Sequence, residues 1–587
     1  MKKNNILKDK VKRIKSLFRN FKRTWKFVKE ERSKLIVCLI LSGILCLISA
    51  ITPLLSAKLL LNLTEGLLDN LLKVAFFILI VELTRNIGQF LYGIIFNKYM
   101  MNTVSLLQYN IAKETLRLET FELDKKSSGV FIDRLNNDSR DIVNIFNSFG
   151  ETIIEVVTNI GVLLAIFFVN KIIFIYYLLT MIILFMLEKM KMKKFFEIDK
   201  KRRKIQEKNT GMVGELVRGI RDIKVLNSEK EFLTLAKNKL DEANDERYKM
   251  QKVRHKYTLI VNSIKDLSNL IFIALGIYLI NINNLEAENF VVLYMYKDKV
   301  LGLLRHFVIV VELMKEFNVS ADRVFEIIED EKFSKEKFGD KKIKKAKGNF
   351  EFKDVSFSYT GENPVLKNIS FKIKANETVS FVGKSGSGKS TIFNLMNKLY
   401  TVDNGEILLD GININSLDKD SIRNNISVIT QSPYIFNMSI RDNLKIVKED
   451  MTEEEMIKVS KIACLHDFVM RLPDGYDTVV GEGGLTLSGG ERQRLAITRA
   501  LLKKTEIILF DEATSALDNE TQEQIQTAIN NMKGKYTILI IAHRLSTVID
   551  SDKIILIDDG KVIDEGSHNE LLKTSKTYKK LYEKELR

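Results

Sequence analysis

Gly383-Lys384-Ser385-Gly386-Ser387-Gly388-Lys389-Ser390-Thr391 decides how this 587-residue chain is read. The stretch has the form G-x-x-x-x-G-K-[ST]. The apolar run Thr378 to Val382 predicts a strand before it, and Ile392 to Leu399 predicts a helix after it. In that setting Gly386 and Gly388 let the backbone curl so that its N–H groups converge on phosphate oxygens. The helix that follows turns its positive end toward the same anion. Lys389 is placed to reach β- and γ-phosphates, and the Ser390 hydroxyl to ligate Mg²⁺. A flexible Gly/Ser linker would need neither the Lys-Ser-Thr ending nor the flanking strand and helix. Alone, the stretch says nucleotide binder and no more.

The chain is too long for one core, so two or more domains are expected. Net charge is +16 and the isoelectric point about 9.3. Two classes of protein fit that balance: a nucleic-acid binder, and a membrane protein whose Lys and Arg crowd its cytoplasmic segments. The distribution favours the second, because the apolar half comes first and the basic runs flank its apolar stretches. Cys38 and Cys46 lie eight positions apart on one apolar helix, roughly 12 Å along the axis. That is too far for a disulfide, and Cys464 is remote from both. Met1 to Lys34 carries over a dozen Lys and Arg with Phe21, Trp25 and Phe27 interleaved. It reads as a basic amphipathic cytoplasmic segment lying on the inner membrane surface.

Six apolar stretches precede the phosphate loop: Leu35–Leu61, Leu71–Phe96, Ile153–Val169, Ile172–Leu187, Tyr257–Ile280 and Phe290–Leu313. Each approaches the ~20 residues a helix needs to cross hydrocarbon. Asn170-Lys171 alone separates the third from the fourth, which predicts a tight helical hairpin. The connections Asn97–Thr152 and Glu188–Lys256 are long, charged and helical in pattern. The Lys/Arg surplus puts both termini and these two connections in the cytoplasm. Pro53 is expected to kink or interrupt the first span. Charges at membrane depth are costly and gather along polar paths or against each other. Glu82, Arg85, Lys265, Asp266, Lys297, Asp298, Lys299, Arg305 and His306 are such charges. Lys297, Lys299 and Arg305 are the candidates to line a hydrophilic path. Lys332–Lys347 reads as a solvated linker. From Asn349 onward, strands alternate with helices, the pattern of an α/β domain with a mainly parallel sheet.

A second constellation follows the loop. Leu487-Ser488-Gly489-Gly490-Glu491-Arg492-Gln493 precedes Ile507-Ile508-Leu509-Phe510-Asp511-Glu512, an apolar strand ending in two acids. Asp511 is placed to hold Mg²⁺ and Glu512 to act as general base toward water. His543 caps the next apolar strand, Thr537–Ile541. Ser488, Gly489 and Gly490 open a helix of their own and form a second anion site on a chain whose loop needs one nucleotide.

In this order and spacing the motifs resemble the ATP-binding cassette transporters over nearly the whole chain. The resemblance implies a six-helix transmembrane domain (35–328), a linker (329–348) and a cassette (349–587), in the manner of bacterial half-transporter exporters for drugs, lipids or peptides. It gives Gln431 the role of a lid glutamine that also meets the metal, Tyr359 that of an adenine-stacking aromatic, and His543 that of the switch histidine. ATP and Mg²⁺ are the implied cofactors. A second copy of the chain is the implied partner, its Ser488, Gly489, Gly490 and Glu491 completing the ATP site. Gly129–Asp138 and Gly214–Lys224 resemble stretches of the two cytoplasmic loops that, in the family, carry coupling helices. Glu491 stands where many relatives have Gln. An ATP-gated channel, a regulatory membrane ATPase and half of a heterodimer are the alternatives within this frame; a soluble cassette ATPase is incompatible with six apolar stretches. The charged sixth span points to a polar or anionic, peptide-like cargo, and no nucleic-acid partner is implied.

Overall fold

The structure is a computed structural model that describes residues 2–64, 68–126, 128–329, 332–359, 361, 363–481, 484–511, 519–542 and 548–585. Two compact units emerge: Met1–Leu116 with Gly129–Glu331, and Arg117–Ser128 with Lys332–Arg587.

Helices run along the chain as α1 (Lys2–Phe27), α2 (Arg32–Thr64), α3 (Leu68–Thr115), α4 (Thr120–Asp124), α5 (Ser128–Asp133), α6 (Ser139–Val169), α7 (Lys171–Arg218), α8 (Ile220–Val225), α9 (Glu229–Asn281) and α10 (Ala287–Ile328). All but α4 belong to the first unit. The six apolar stretches fall in α2, α3, α6, α7, α9 and α10, each of which continues into polar sequence. Their apolar side chains point outward to an unusual degree, with Leu72, Phe90 and Phe168 among the most exposed. In water that would be untenable; in a bilayer those faces meet lipid tails, and only the polar backbone needs internal satisfaction. Among the described residues, Lys15–Leu60, Lys171–Met192 and Glu229–Asn281 are long and apolar enough to cross a membrane, and Glu155–Val169 is a shorter apolar helix. The stretches in α3 and α10 carry Glu82 and Arg85, and Lys297, Asp298 and Lys299, which lower their hydropathy.

The hairpin between α6 and α7 is built by one residue. Asn170 leaves the helical region (φ −153°, ψ 116°), and its side-chain oxygen accepts from the N–H groups of Ile172 and Ile173, capping α7. Below it Ile173, Tyr177, Phe272, Leu293 and Val300 form the buried core of this end of the bundle.

Several expectations change here. The N-terminal segment does not stand apart at residues 16–23: the buried Asn20 of α1 donates to Asn318 Oδ1 (2.8 Å) and Asp322 Oδ1 (2.7 Å) of α10, and Arg23 pairs with Glu329 at 2.7 Å. A polar stripe of Ser16, Asn20 and Arg23 finds partners on α10, so that face packs while Phe18, Phe21 and Lys22 stay exposed. Pro53 does not interrupt α2, which runs unbroken from Arg32 to Thr64; a buried or lipid-facing helix loses more by exposing backbone than by forgoing one hydrogen bond. The Gly129–Asp138 stretch ties the first long connection to α10: Arg134 donates to the Arg323 carbonyl (2.8 Å) and Glu326 (3.2 Å), and Asp138 faces Arg323 at 3.6 Å.

The second unit begins earlier than residue 349 and includes α4. Leu118 forms an antiparallel bridge with Lys335, the Glu119 N–H donates to the Ser334 carbonyl, and Tyr400 Oη donates to Asp124 (2.5 Å). The Lys332–Lys347 run is not a solvated linker. Phe333 and Ala346 are buried, and the Ile343 and Ala346 N–H groups donate to Ser421 Oγ (2.7 Å) and Asn425 Oδ1 (2.8 Å). Its lysines point outward while its backbone and apolar residues hold the strap down.

This unit holds two principal sheets. An antiparallel sheet runs β2-β1-β4-β5, from β1 (Phe350–Phe357), β2 (Leu366–Ile373), β4 (Asn404–Leu409) and β5 (Ile412–Asn413). The other runs β12-β11-β3-β10-β9-β6, from β3 (Thr378–Val382), β6 (Ile426–Ile429), β9 (Ile507–Asp511), β10 (Thr537–Ile541), β11 (Lys553–Asp558) and β12 (Lys561–Gly566); β7 (Met438–Ser439) and β8 (Val479–Val480) pair separately. β11, β3, β10, β9 and β6 are parallel and β12 is an antiparallel edge. β3 and β10 are buried along their whole length; their apolar residues suit a sheet covered on both faces, and the buried Ser380 hydroxyl is matched by that of Ser551 at 2.6 Å.

Candidate functional site

In an open parallel sheet the strand ends converge where ligands bind, outside the carboxyl edge. Register fixes which residues arrive there. Ile541 of β10 pairs with Phe381 of β3 on one side and with Asp511 of β9 on the other, and Ile429 of β6 pairs with Phe510. The loop at Gly383, Asp511 and Gln431 therefore leave the sheet at one edge.

The phosphate loop joins β3 to α11 (Lys389–Met396). Gly388 sits at φ +103°, a left-handed value, and a Cβ there would come within 2.6 Å of Leu366. At Gly383 a Cβ would meet the Ile557 carbonyl at 2.0 Å. Only glycine allows so tight a curl. Lys389 is 4% exposed, and its ammonium donates to the Gly383 and Lys384 carbonyls at 2.9 and 2.8 Å. Ser387 Oγ is buried with no hydrogen-bond partner. A desolvated cation and an orphaned hydroxyl inside a curl of N–H groups fit a phosphate chain. Lys384 and Ser385 are exposed, and Lys384 faces Asp558 at 3.7 Å.

Ser390 Oγ donates to Asp511 Oδ1 at 3.0 Å. A hydroxyl and a carboxylate so placed are hard oxygen donors that fit Mg²⁺. Among the described residues no cluster of three His, Cys, Asp or Glu offers any other metal site. Gln431 is exposed just past β6, and its backbone carbonyl accepts from Gln493 Nε2 at 3.4 Å. Gln493, from the Ser-Gly-Gly-Glu motif, thus steadies the Gln431 loop. It was visible in the motif, but nothing in the sequence linked it to that loop. Tyr359 Oη lies 3.1 Å from Thr391 Oγ1, and its ring meets Phe357 and Tyr400 edge-on.

Ser488 N-caps the helix Gly489–Lys503 in a capping box with Glu491: the Ser488 N–H donates to Glu491 Oε2 (2.6 Å) and the Glu491 N–H to Ser488 Oγ (3.3 Å). The Glu491 carboxylate, expected to meet nucleotide, is thus engaged on its own helix. That helix packs through Leu495 and Leu502 against Ile440, Leu444 and Met456, a core different from the one beneath the phosphate loop. Glu512 and His543 lie outside the described residues.

The first unit holds a polar cavity of about 460 Å³ lined by α2, α6, α9 and α10. Lys299 lines it and donates to Ser49 Oγ at 3.1 Å. Lys297 does not line it; its ammonium binds Asn269 Oδ1 (3.2 Å) and covers the Tyr294 ring. The Arg305 side chain lies outside the described residues. His306 Nε2 pairs with Glu155 Oε2 at 2.8 Å. Glu155 was missed because it stands at the start of an apolar run, where helical spacing alone does not set its depth. Glu82 and Arg85 pair with each other at 2.5 Å.

A phosphate-binding loop, a hydroxyl–carboxylate pair suited to a metal and a bundle of outward-facing apolar helices define a membrane-embedded nucleotide-binding protein. Comparison with known proteins narrows the class. Residues 366–515 match the family model for the ABC transporter, and residues 35–301 that for the ABC transporter transmembrane region. The chain is 32% identical over 591 residues to the ATP-dependent lipid A-core flippase of Haemophilus influenzae (strain 86-028NP), covering 97% of each. It is 31% identical over 592 residues to the protein of that description from Pasteurella multocida (strain Pm70), covering 97% of this chain and 98% of the other. In fold it is similar to the structure of a bacterial Atm1-family ABC exporter with ATP bound, with a TM-score of 0.82, 23% identity, and coverage of 95% of this chain and 100% of that one. The chain belongs to the ABC transporter family. It is a multi-pass membrane protein and an ATP-driven exporter of the half-transporter type, hydrolysing ATP with Mg²⁺.

Proposed function

We propose that two identical copies of this chain form the exporter, with both termini in the cytoplasm, and that each cassette completes the other's ATP site. The carrying observation is that one chain presents two anion-binding helix starts on separate cores, at Lys389 and at Ser488. An isologous pair uses both in each of two sites. Within a site, Gly383 to Thr391 cradles the phosphates, Lys389 neutralises the β- and γ-oxygens, and Tyr359 stacks on adenine. Ser390, Asp511 and Gln431 hold Mg²⁺, which when bound supplies charge neutralisation at the transferring phosphoryl group. Glu512 takes a proton from the attacking water, His543 steadies the γ-phosphate, and the partner's Ser488, Gly489 and Gly490 close over it. Because both faces touch the nucleotide, binding favours the closed pair, and loss of the γ-phosphate releases it. In the second cytoplasmic loop, the exposed Ile220, Val225 and Leu226 in and after α8 support a docking role for that loop.

The substrate carries a charged polar group. The polar cavity supports this, and so do the relatives described as lipid A-core flippases. The test is purification of this chain alone. Wild type should hydrolyse ATP as a pair of one mass, and Glu512→Gln should bind ATP, lose hydrolysis by roughly 10²–10⁴-fold and accumulate as a closed dimer. Full hydrolysis by a strict monomer, or inactivity until a different chain is added, would refute the homodimer.

A further inference from the structure

The cavity of the first unit holds charges of both signs in an unusual state of pairing. Glu155 is partnered by His306 at 2.8 Å, and Lys299 is held by the Ser49 hydroxyl at 3.1 Å. Lys265 of α9 and Asp298 of α10 line the same cavity, and among the described residues neither has a hydrogen bond or ion pair. An unpaired charge within a membrane span is expensive, and it persists where function uses it. Two such charges of opposite sign, in one cavity and yet not bonded to each other, leave a gap that a ligand with complementary charges would bridge. Neither a purely anionic nor a purely cationic ligand does so: the first leaves Asp298 uncompensated, the second leaves Lys265 so. At about 460 Å³ the cavity lies in the range of small-ligand sites.

We propose that this cavity recognises a zwitterionic group, its ammonium on Asp298 and its acidic oxygens between Lys265 and Lys299. This rests on the export reading above and adds the chemical class of the cargo. Two sources carry such a group, a peptide with free termini and an ethanolamine-phosphate lipid headgroup.

The experiment uses the full chain reconstituted in phosphatidylglycerol vesicles, with ATP hydrolysis followed against added tri-alanine and, separately, against phosphatidylethanolamine mixed into the bilayer. Stimulation by tri-alanine identifies the peptide source, and stimulation by phosphatidylethanolamine the lipid source. In either case Asp298→Asn and Lys265→Gln should each raise the half-stimulating concentration at least tenfold. Asp298→Glu, which keeps the charge, should restore most of it. N-acetylated, C-amidated tri-alanine should be inert on wild type, a comparison that needs no variant to fold. Equal stimulation by the blocked and free peptides, or an unchanged half-stimulating concentration in both neutralised variants, would overturn the assignment. Basal ATP hydrolysis without response to either zwitterion would reject the zwitterion while leaving export intact. Absence of any ATP hydrolysis by the reconstituted chain would reject both.

Discussion

Ser390 Oγ and Asp511 Oδ1 lie 3.0 Å apart although 121 residues separate them in the chain. One opens α11 and the other closes β9, and only the parallel order β3-β10-β9 brings them to one edge. Ser390→Ala should therefore raise the Mg²⁺ concentration for half-maximal hydrolysis. Turnover should fall on the order of 10²-fold, the scale for losing one group that stabilises developing charge. Asp511→Asn should behave alike, while nucleotide binding without metal stays near wild type. A Mg²⁺ titration of the ATPase checks this, and an unchanged titration would remove the pair from metal binding.

Tyr359 is held by its hydroxyl at Thr391 and by the edges of Phe357 and Tyr400. Tyr359→Ala should weaken nucleotide binding by roughly 1–3 kcal/mol if adenine stacks there. Tyr359→Phe should cost far less, because the ring is kept. Calorimetric titration with a non-hydrolysable ATP analogue distinguishes the two; equal losses would assign the effect to the hydroxyl.

The capping box separates two roles of the signature helix. Ser488→Ala should destabilise the cassette by about 1 kcal/mol and also depress hydrolysis. Glu491→Gln should leave both nearly unchanged, because a glutamine in that position still serves the box. Thermal unfolding and ATPase rates measured on the same samples test this, and a large loss of hydrolysis in Glu491→Gln would return the carboxylate to the nucleotide.

Burial, together with the neighbouring Arg423, pushes the Lys503 ammonium down to about 8 from an ordinary value near 10.5. The unfolded chain then binds this proton more tightly than the folded one. Stability should rise with pH between about 8 and 10.5, and below 8 the full cost of burying the charge is present. Lys503→Met should flatten that rise and raise the melting temperature at pH 7. Unfolding of both proteins across the window checks it, and parallel profiles would contradict it.

The carboxylate that ends Ile507–Asp511 and the phosphate loop were legible because such sites demand particular residue types at fixed local spacing. The six apolar stretches were legible because the bilayer sets a minimum length that no distant residue can alter. The strap at Lys332–Lys347 was not, since its charge pattern describes its outward side chains while its burial depends on Ser421 and Asn425 far along the chain. The placement of residues 117–128 with the cassette was hidden for the same reason: a bridge from Leu118 to Lys335 leaves no mark in either segment alone.

By itself, then, the sequence marked the phosphate loop, its metal carboxylate and the apolar stretches, which are written in neighbouring residues. Tertiary structure alone decided the partners: Asn20 on Asp322, Glu155 on His306, and Lys265 and Asp298 left open in one cavity. Local propensity and hydropathy act over a few residues, whereas a buried charge is matched by whichever side chain the packing of other helices delivers.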